Sequence, residues 1–229
     1  DEHGEKVYSM ELLRVGKNDE GYWTVEHVKK QIEEKAIQDF EFLHPNCVGL
    51  FCFDNSTNHG AMAPDGLVAN RMNLKSGGKQ PIMHDTWYSN ADGVRTEQSL
   101  VSEDGKPKGI RNVLNERGLW IKGLKLDCKK EVELNSNLDY KCCARHRLGS
   151  QPDFLGEVSM IETAIKKRNH LALFLPKFHC ELNPIEMLWG ASKRICRAEC
   201  DYTFNGLCAT VAESLERIPL AQIRRYFRR

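Results

Sequence analysis

Two short apolar runs constrain this chain more than any other feature. Val48-Gly49-Leu50-Phe51-Cys52-Phe53 is followed at once by Asp54, and His170-Leu171-Ala172-Leu173-Phe174-Leu175 is stopped by Pro176. Uninterrupted runs of this length read as strands buried on both faces, since a helix needs roughly ten residues with apolar positions at helical spacing. Ahead of the first run, Thr24 can cap a helix that keeps Val25, Val28, Ile32, Ala36, Phe40 and Leu43 on one side and stops at Pro45. Ahead of the second, Asp153 can cap a helix bearing Phe154, Val158, Ile161 and Ile165 on one face. A helix should open at Asn183, with two more near 203–217 and 219–228. A short strand over 6–15, ended by Gly16-Lys17-Asn18, leads the order. The alternation of strands and helices predicts an α/β fold.

Between about 60 and 150 the texture changes. Glycine, proline and charge are frequent and apolar periodicity is weak, so this stretch reads as an insertion with little regular structure beyond one strand over 119–126. Gly77-Gly78-Lys79 lacks the upstream glycine of a phosphate loop and has Gln80 where Ser or Thr is required. The expected organisation is a discontinuous core over 1–59 and 150–200, an insertion over 60–149, and basic C-terminal helices over 201–229.

Of 229 residues, 41% are hydrophobic, enough for a core. No run approaches the roughly 18 apolar residues of a membrane helix. The start, Asp1 to Lys6, has no initiator Met and no apolar signal region, which predicts a fragment of an intracellular protein. Nine cysteines without regular spacing fit a reducing compartment. Net charge is +1 but unevenly spread: 6 Lys/Arg against 11 Asp/Glu over 1–45, 11 against 6 over 104–147, and 8 against 4 over 191–229. Such polarity suits a basic face presented to a polyanion, although charge alone is equally the mark of solvated helices.

Two acids stand where chemistry is placed. Asp54 ends the first strand, and strand C-terminal ends open onto the crevice in which α/β proteins bind ligands; alone, it is as readily a turn former. Glu186 follows Asn183-Pro184-Ile185, which also reads as a capping box. Glu186, Gly190, Lys193 and Arg197 share one helix face, so that a carboxylate, a gap and two cations lie in line.

Phe53-Asp54-Asn55-Ser56-Thr57-Asn58-His59 resembles the second-aspartate motif of mariner-like DDE transposases. Phe174-Leu175-Pro176, with Leu182-Asn183-Pro184-Ile185-Glu186-Met187-Leu188-Trp189-Gly190, resembles that family's third-acid motif, in the form carried by fungal mobile elements. The resemblance spans most of 14–59 and 140–229. It implies a ribonuclease H-like fold, incomplete here and with a large insertion after the second acid. It further implies magnesium (or manganese) held by Asp54 and Glu186, with His59 positioning them, and DNA cleavage and strand transfer at transposon ends in the nucleus. Two ions roughly 4 Å apart suit that chemistry because nucleophile and leaving oxygen both develop charge, and hard cations prefer carboxylate oxygens. DNA is the expected partner, contacted by Lys193, Arg194, Arg197, Arg224, Arg225, Arg228 and Arg229; a homo-oligomer is compatible and a membrane is not expected.

The sequence departs from the family in two respects. Asp54 and Glu186 are 132 residues apart, which the insertion explains. No first aspartate is found: Asp1 and Asp19 are not on apolar strands, Asp39 lies on a helix, and Asp85 follows the second motif. The chain alone is therefore expected to be inactive and poorly folded, its central strand missing. Cys128, Cys142 and Cys143 with His146 suggest zinc, but adjacent cysteines seldom reach one ion together and the Cys-x₂-Cys spacing is absent, so buried thiols are the expectation. The same expectation holds for Cys196 and Cys200. His179-Cys180-Glu181 lacks the Pro-Cys-x-x-Cys of a zinc deaminase. A non-catalytic DNA-binding remnant and a zinc-stabilised interaction module remain as alternatives to the enzyme.

Overall fold

A computed structural model describes residues 11, 13–18, 20–130 and 133–228. In chain order the elements are α1 (Val25–Gln31), a π-helical turn (Ile32–Ala36), α2 (Ile37–Leu43), β1 (Leu50–Phe53), β2 (Thr86–Ser89) and β3 (Arg95–Gln98). There follow α3 (Ile110–Glu116), α4 (Ala144–Gly149), α5 (Pro152–Leu155), α6 (Met160–Lys167), β4 (Leu171–Phe174), α7 (Pro184–Ala198), α8 (Phe204–Glu216) and α9 (Leu220–Tyr226). The architecture is mixed α/β. The chain divides into two compact units, Asp1–Gly60 with Ala164–Arg229, and Ala61–Thr163. The strand expected over 6–15 falls largely outside the described residues; its described end leads into a turn in which Gly16 bridges Gly21.

The first unit is built on one parallel pair, β1 with β4, in the register Leu50 to Leu171 and Phe53 to Phe174. A short sequence run reaches β-sheet here because its partner run is equally apolar, although 121 residues separate Gly49 from His170. The expected burial on both faces does not hold. Leu50, Leu171 and Leu173 are 57%, 56% and 46% exposed, while Phe51 and Phe53 turn to the other, half-buried face. Among the described residues no third strand joins the pair. The inner face meets α2 through Phe40, whose ring packs edge-on to Phe51 and His170. The Gly49 N–H donates to His170 Nδ1 at 3.1 Å, so Nε2 carries the ring proton and bonds Glu41 at 3.2 Å. Glu41 also takes Arg168 in a two-pronged ion pair. At the other end of this helical stretch the Thr24 N–H donates to His27 Nδ1 at 3.2 Å, closing a capping box. α7, α8 and α9 form a helical group in which α7 packs on both of the others. Ser192 and Ser214 are buried where α7 meets α8 and satisfy each other at 2.6 Å.

The second unit has little regular structure over 60–149, as expected, yet it is compact. It holds the antiparallel hairpin β2–β3, α3, α4 and α5, around a core of Leu67, Met72, Met83, Leu100, Ile110, Val113, Leu114, Leu124, Leu148 and Phe154. No short window shows this core because its members are scattered over short elements, none long enough to display a period. The strand expected over 119–126 is absent. That stretch is coil and turn, with Leu119, Trp120 and Leu126 packed against the core. The helix expected from Asp153 through Ile165 is interrupted: α5 ends at Leu155 and α6 starts at Met160. Asp153 is no cap. It is buried inside α5 and gripped by Arg117, so residues 150–163 belong with the second unit and not with β1–β4. Gly109, which begins α3, has no room for a side chain; a Cβ there would stand 2.3 Å from the Lys75 carbonyl carbon.

Candidate functional site

Parallel pairing brings the C-terminal ends of β1 and β4 to the same edge. The Leu175 N–H donates to the Phe53 carbonyl at 2.8 Å, so the chain leaving β1 at Asp54 and the chain leaving β4 at Pro176 depart side by side. Asn55 ties them further by donating its amide to the Leu175 carbonyl at 2.5 Å. A cavity of about 350 Å³ opens there, lined by Asp54, Ser56, Lys177, His179, Asn183 and Glu186 among others. Glu186 reaches it from the first turn of α7, whose start is set by Pro184 and by Asn183, the side chain of which accepts the Ile185 N–H at 3.4 Å.

Within this cleft Asp54 Oδ1 accepts the Ser56 N–H at 3.1 Å and lies 2.5 Å from His59 Nδ1. Burial works to raise the Asp54 pKa, but the hydrogen bonds from Ser56 and His59 outweigh it and hold the carboxyl below its ordinary value. Asp54 is thus an ionised acceptor. Lys177 adds a cation to the lining, and His179 is engaged by Glu181 at 2.7 Å. Phe178, also at the cleft, is 99% exposed and has a backbone φ of 66°, a left-handed conformation unusual for an aromatic residue. Lys177 and Phe178 are not singled out in the sequence, where nothing but their nearness to the third-acid motif marks them; Asn55 lies within the second-aspartate motif.

A second groove, of about 520 Å³, runs along α7 and is lined by Met187, Gly190, Ala191, Arg194, Arg197 and Tyr226. Lys193, Arg194, Arg197, Arg224, Arg225 and Arg228 are all exposed, and none is ion-paired among the described residues. Arg229 lies outside them.

In the second unit Cys128, Cys142, Cys143 and His146 converge, their ligand atoms all within 4.8 Å of one another. Of the thiols expected to be buried, Cys143 is buried, Cys128 is partly so and Cys142 is exposed, and the four side chains could hold a metal ion. The chain turns into α4 at Cys143, whose Sγ accepts the His146 N–H at 3.5 Å, and His146 Nδ1 lies 3.3 and 3.2 Å from the sulfurs of Cys128 and Cys142. It is the one group of three or more such ligands among the described residues; Asp54 and Glu186 line one cleft, but with His59 they do not converge as those four side chains do.

No described helix is long and apolar enough to cross a membrane. No family model matches the chain, and no curated protein or solved structure matches it at a significant level.

Proposed function

We propose that the first unit is a DDE-type, ribonuclease H-like nuclease and strand-transfer core, acting on transposon DNA in the nucleus. One observation carries the reading: an acid at the end of a parallel strand and an acid at the start of the helix following its partner strand line a single cleft. The donor set fits a hard cation. Asp54 is held ionised, and carboxylate oxygens are the ligands magnesium and manganese prefer. Asp54 and Glu186 would hold the ion, which when bound supplies Lewis-acid activation of an attacking oxygen and stabilises charge at phosphorus. The chain's own groups do the rest. His59 and Ser56 fix the Asp54 carboxylate, Lys177 offers a charge to a backbone phosphate, and Phe178 offers an aromatic face to an unpaired base.

A second reading is DNA binding without cleavage. It is favoured by the exposed cations of α7 and α9 and by the presence of two acids, not three, in the cleft. Manganese titration followed by electron paramagnetic resonance, run beside nicking of supercoiled plasmid, separates the two. Binding lost in both Asp54→Asn and Glu186→Gln supports the metal-dependent reading, and nicking that depends on both residues supports it most strongly. DNA binding with no manganese at the cleft and no effect of either substitution rejects it in favour of the second.

A further inference from the structure

The Cys128, Cys142, Cys143 and His146 group has no part in the cleft chemistry, and it stands whatever that cleft does. We propose that it is a structural zinc centre that ties Cys128 and the coil over 133–143 to α4 and so completes the core of the second unit.

The ligand chemistry selects the metal. Three sulfurs and one imidazole nitrogen form a soft donor set, which disfavours magnesium and calcium and suits zinc. Zinc–sulfur bonds of about 2.3 Å in a tetrahedron place neighbouring ligand atoms roughly 3.8 Å apart. The observed sulfur–nitrogen separations of 3.3 and 3.2 Å, and the 4.8 Å bound on all pairs, leave only small movements to reach that geometry. Four protein ligands make a closed site, the pattern of structural rather than catalytic zinc. Cys143 is buried, and Cys128 and His146 are partly so. Three thiolates on zinc leave one net negative charge, and Lys129 and Lys130 follow Cys128 in sequence.

What the ion would organise is equally specific. Residues 133–143 contain no helix or strand, yet they lead into α4, which supplies Ala144 and Leu148 to the core. The Ala144 and Arg145 N–H groups donate to the carbonyls of Lys125 and Leu126, at 2.8 and 3.1 Å, so Cys128 leaves the same short stretch that α4 docks on. Closing this loop through a metal removes chain entropy from the unfolded state, and binding energy becomes folding energy. On binding, each ligating thiol loses its proton to solvent and forms a sulfur–zinc bond, with no change in oxidation state.

The test uses the full chain purified without chelator. Metal analysis should return about one zinc per chain. Exchange for cobalt should give tetrahedral d–d absorption together with thiolate-to-cobalt charge transfer. Cys128→Ser should lose the metal, while Cys196→Ser, on α7, should keep it. Should Cys128→Ser fail to fold, chelation of the unaltered chain decides: amide exchange over 125–148 must accelerate on zinc removal and recover on its return. A metal-free chain with three titratable thiols in this segment, a mass two daltons light from a disulfide among these cysteines, or a cobalt spectrum without thiolate bands would each overturn the proposal.

Discussion

Arg117 grips Asp153 through both terminal nitrogens, at 2.9 and 2.6 Å, with the two side chains 0% and 2% exposed. The pair is fully bonded: Thr86 donates to the same carboxylate at 2.8 Å, Arg117 Nε donates to Gln98 at 2.8 Å, and Tyr88 and Phe154 cover the guanidinium. Removing one partner strands a buried charge. Asp153→Ala or Arg117→Met should therefore destabilise the second unit by about 3–5 kcal/mol in urea unfolding. Replacing both with apolar residues of similar volume should recover most of that loss. Additive losses in the double variant would show that the two side chains act independently and that no buried charge is orphaned when one is removed.

The Glu41 bridge gives a pH signature. Arg168 bonds Glu41 and, with a smaller contribution from His170, holds its carboxyl below the ordinary glutamate value. A depressed folded pKa means that this contribution is present above the unfolded glutamate value and is lost as pH falls through the folded one. Glu41→Gln should lower stability in the neutral region, where the bridge is charged, and approach the parent at the acid end, so that the profile flattens between them. Thermal midpoints measured across the acid range decide; an unaltered acid limb would show that the bridge contributes nothing.

His59 is a positioning residue in the proposed cleft, since it touches Asp54 and no reacting group. His59→Ala should weaken manganese affinity by roughly ten- to a hundredfold without abolishing binding, as loss of an outer partner does elsewhere. His59→Gln, which can still donate to Asp54, should restore part of it. Equal losses in both variants, measured by titration, would point to ligation by the histidine itself.

The α7 groove and Phe178 should be separable in DNA binding. Arg194→Ala and Arg197→Ala should each lower the log–log salt slope on duplex DNA by about 0.9 if each neutralises one phosphate. Phe178→Ala should leave that slope alone and weaken binding to single strands by about 1–3 kcal/mol through lost stacking. Fluorescence anisotropy over a salt series reads both. A slope unchanged by either arginine would place the DNA elsewhere.

Local order was legible wherever it rests on neighbours in sequence. The strands at 50–53 and 171–174, the Thr24 start of α1, the Asn183-Pro184 start of α7 and the two helices after it all lie where caps, breakers and apolar spacing put them, because those signals act over a few residues. Asp54 and Glu186 were nameable from their motifs. Their common cleft required the parallel register of β1 with β4, which joins residues more than a hundred positions apart. The compactness of the second unit was not legible for the same reason. Its core, its Arg117–Asp153 pair and its cysteine cluster are each assembled from positions that carry no mutual signal along the chain. Adjacent Cys142 and Cys143 argued against a shared ion only while the backbone was imagined as regular; the turn into α4 at Cys143 is what lets both sulfurs converge on His146. Sequence determined the elements and the residues fit for chemistry; packing across long loops decided which of them meet.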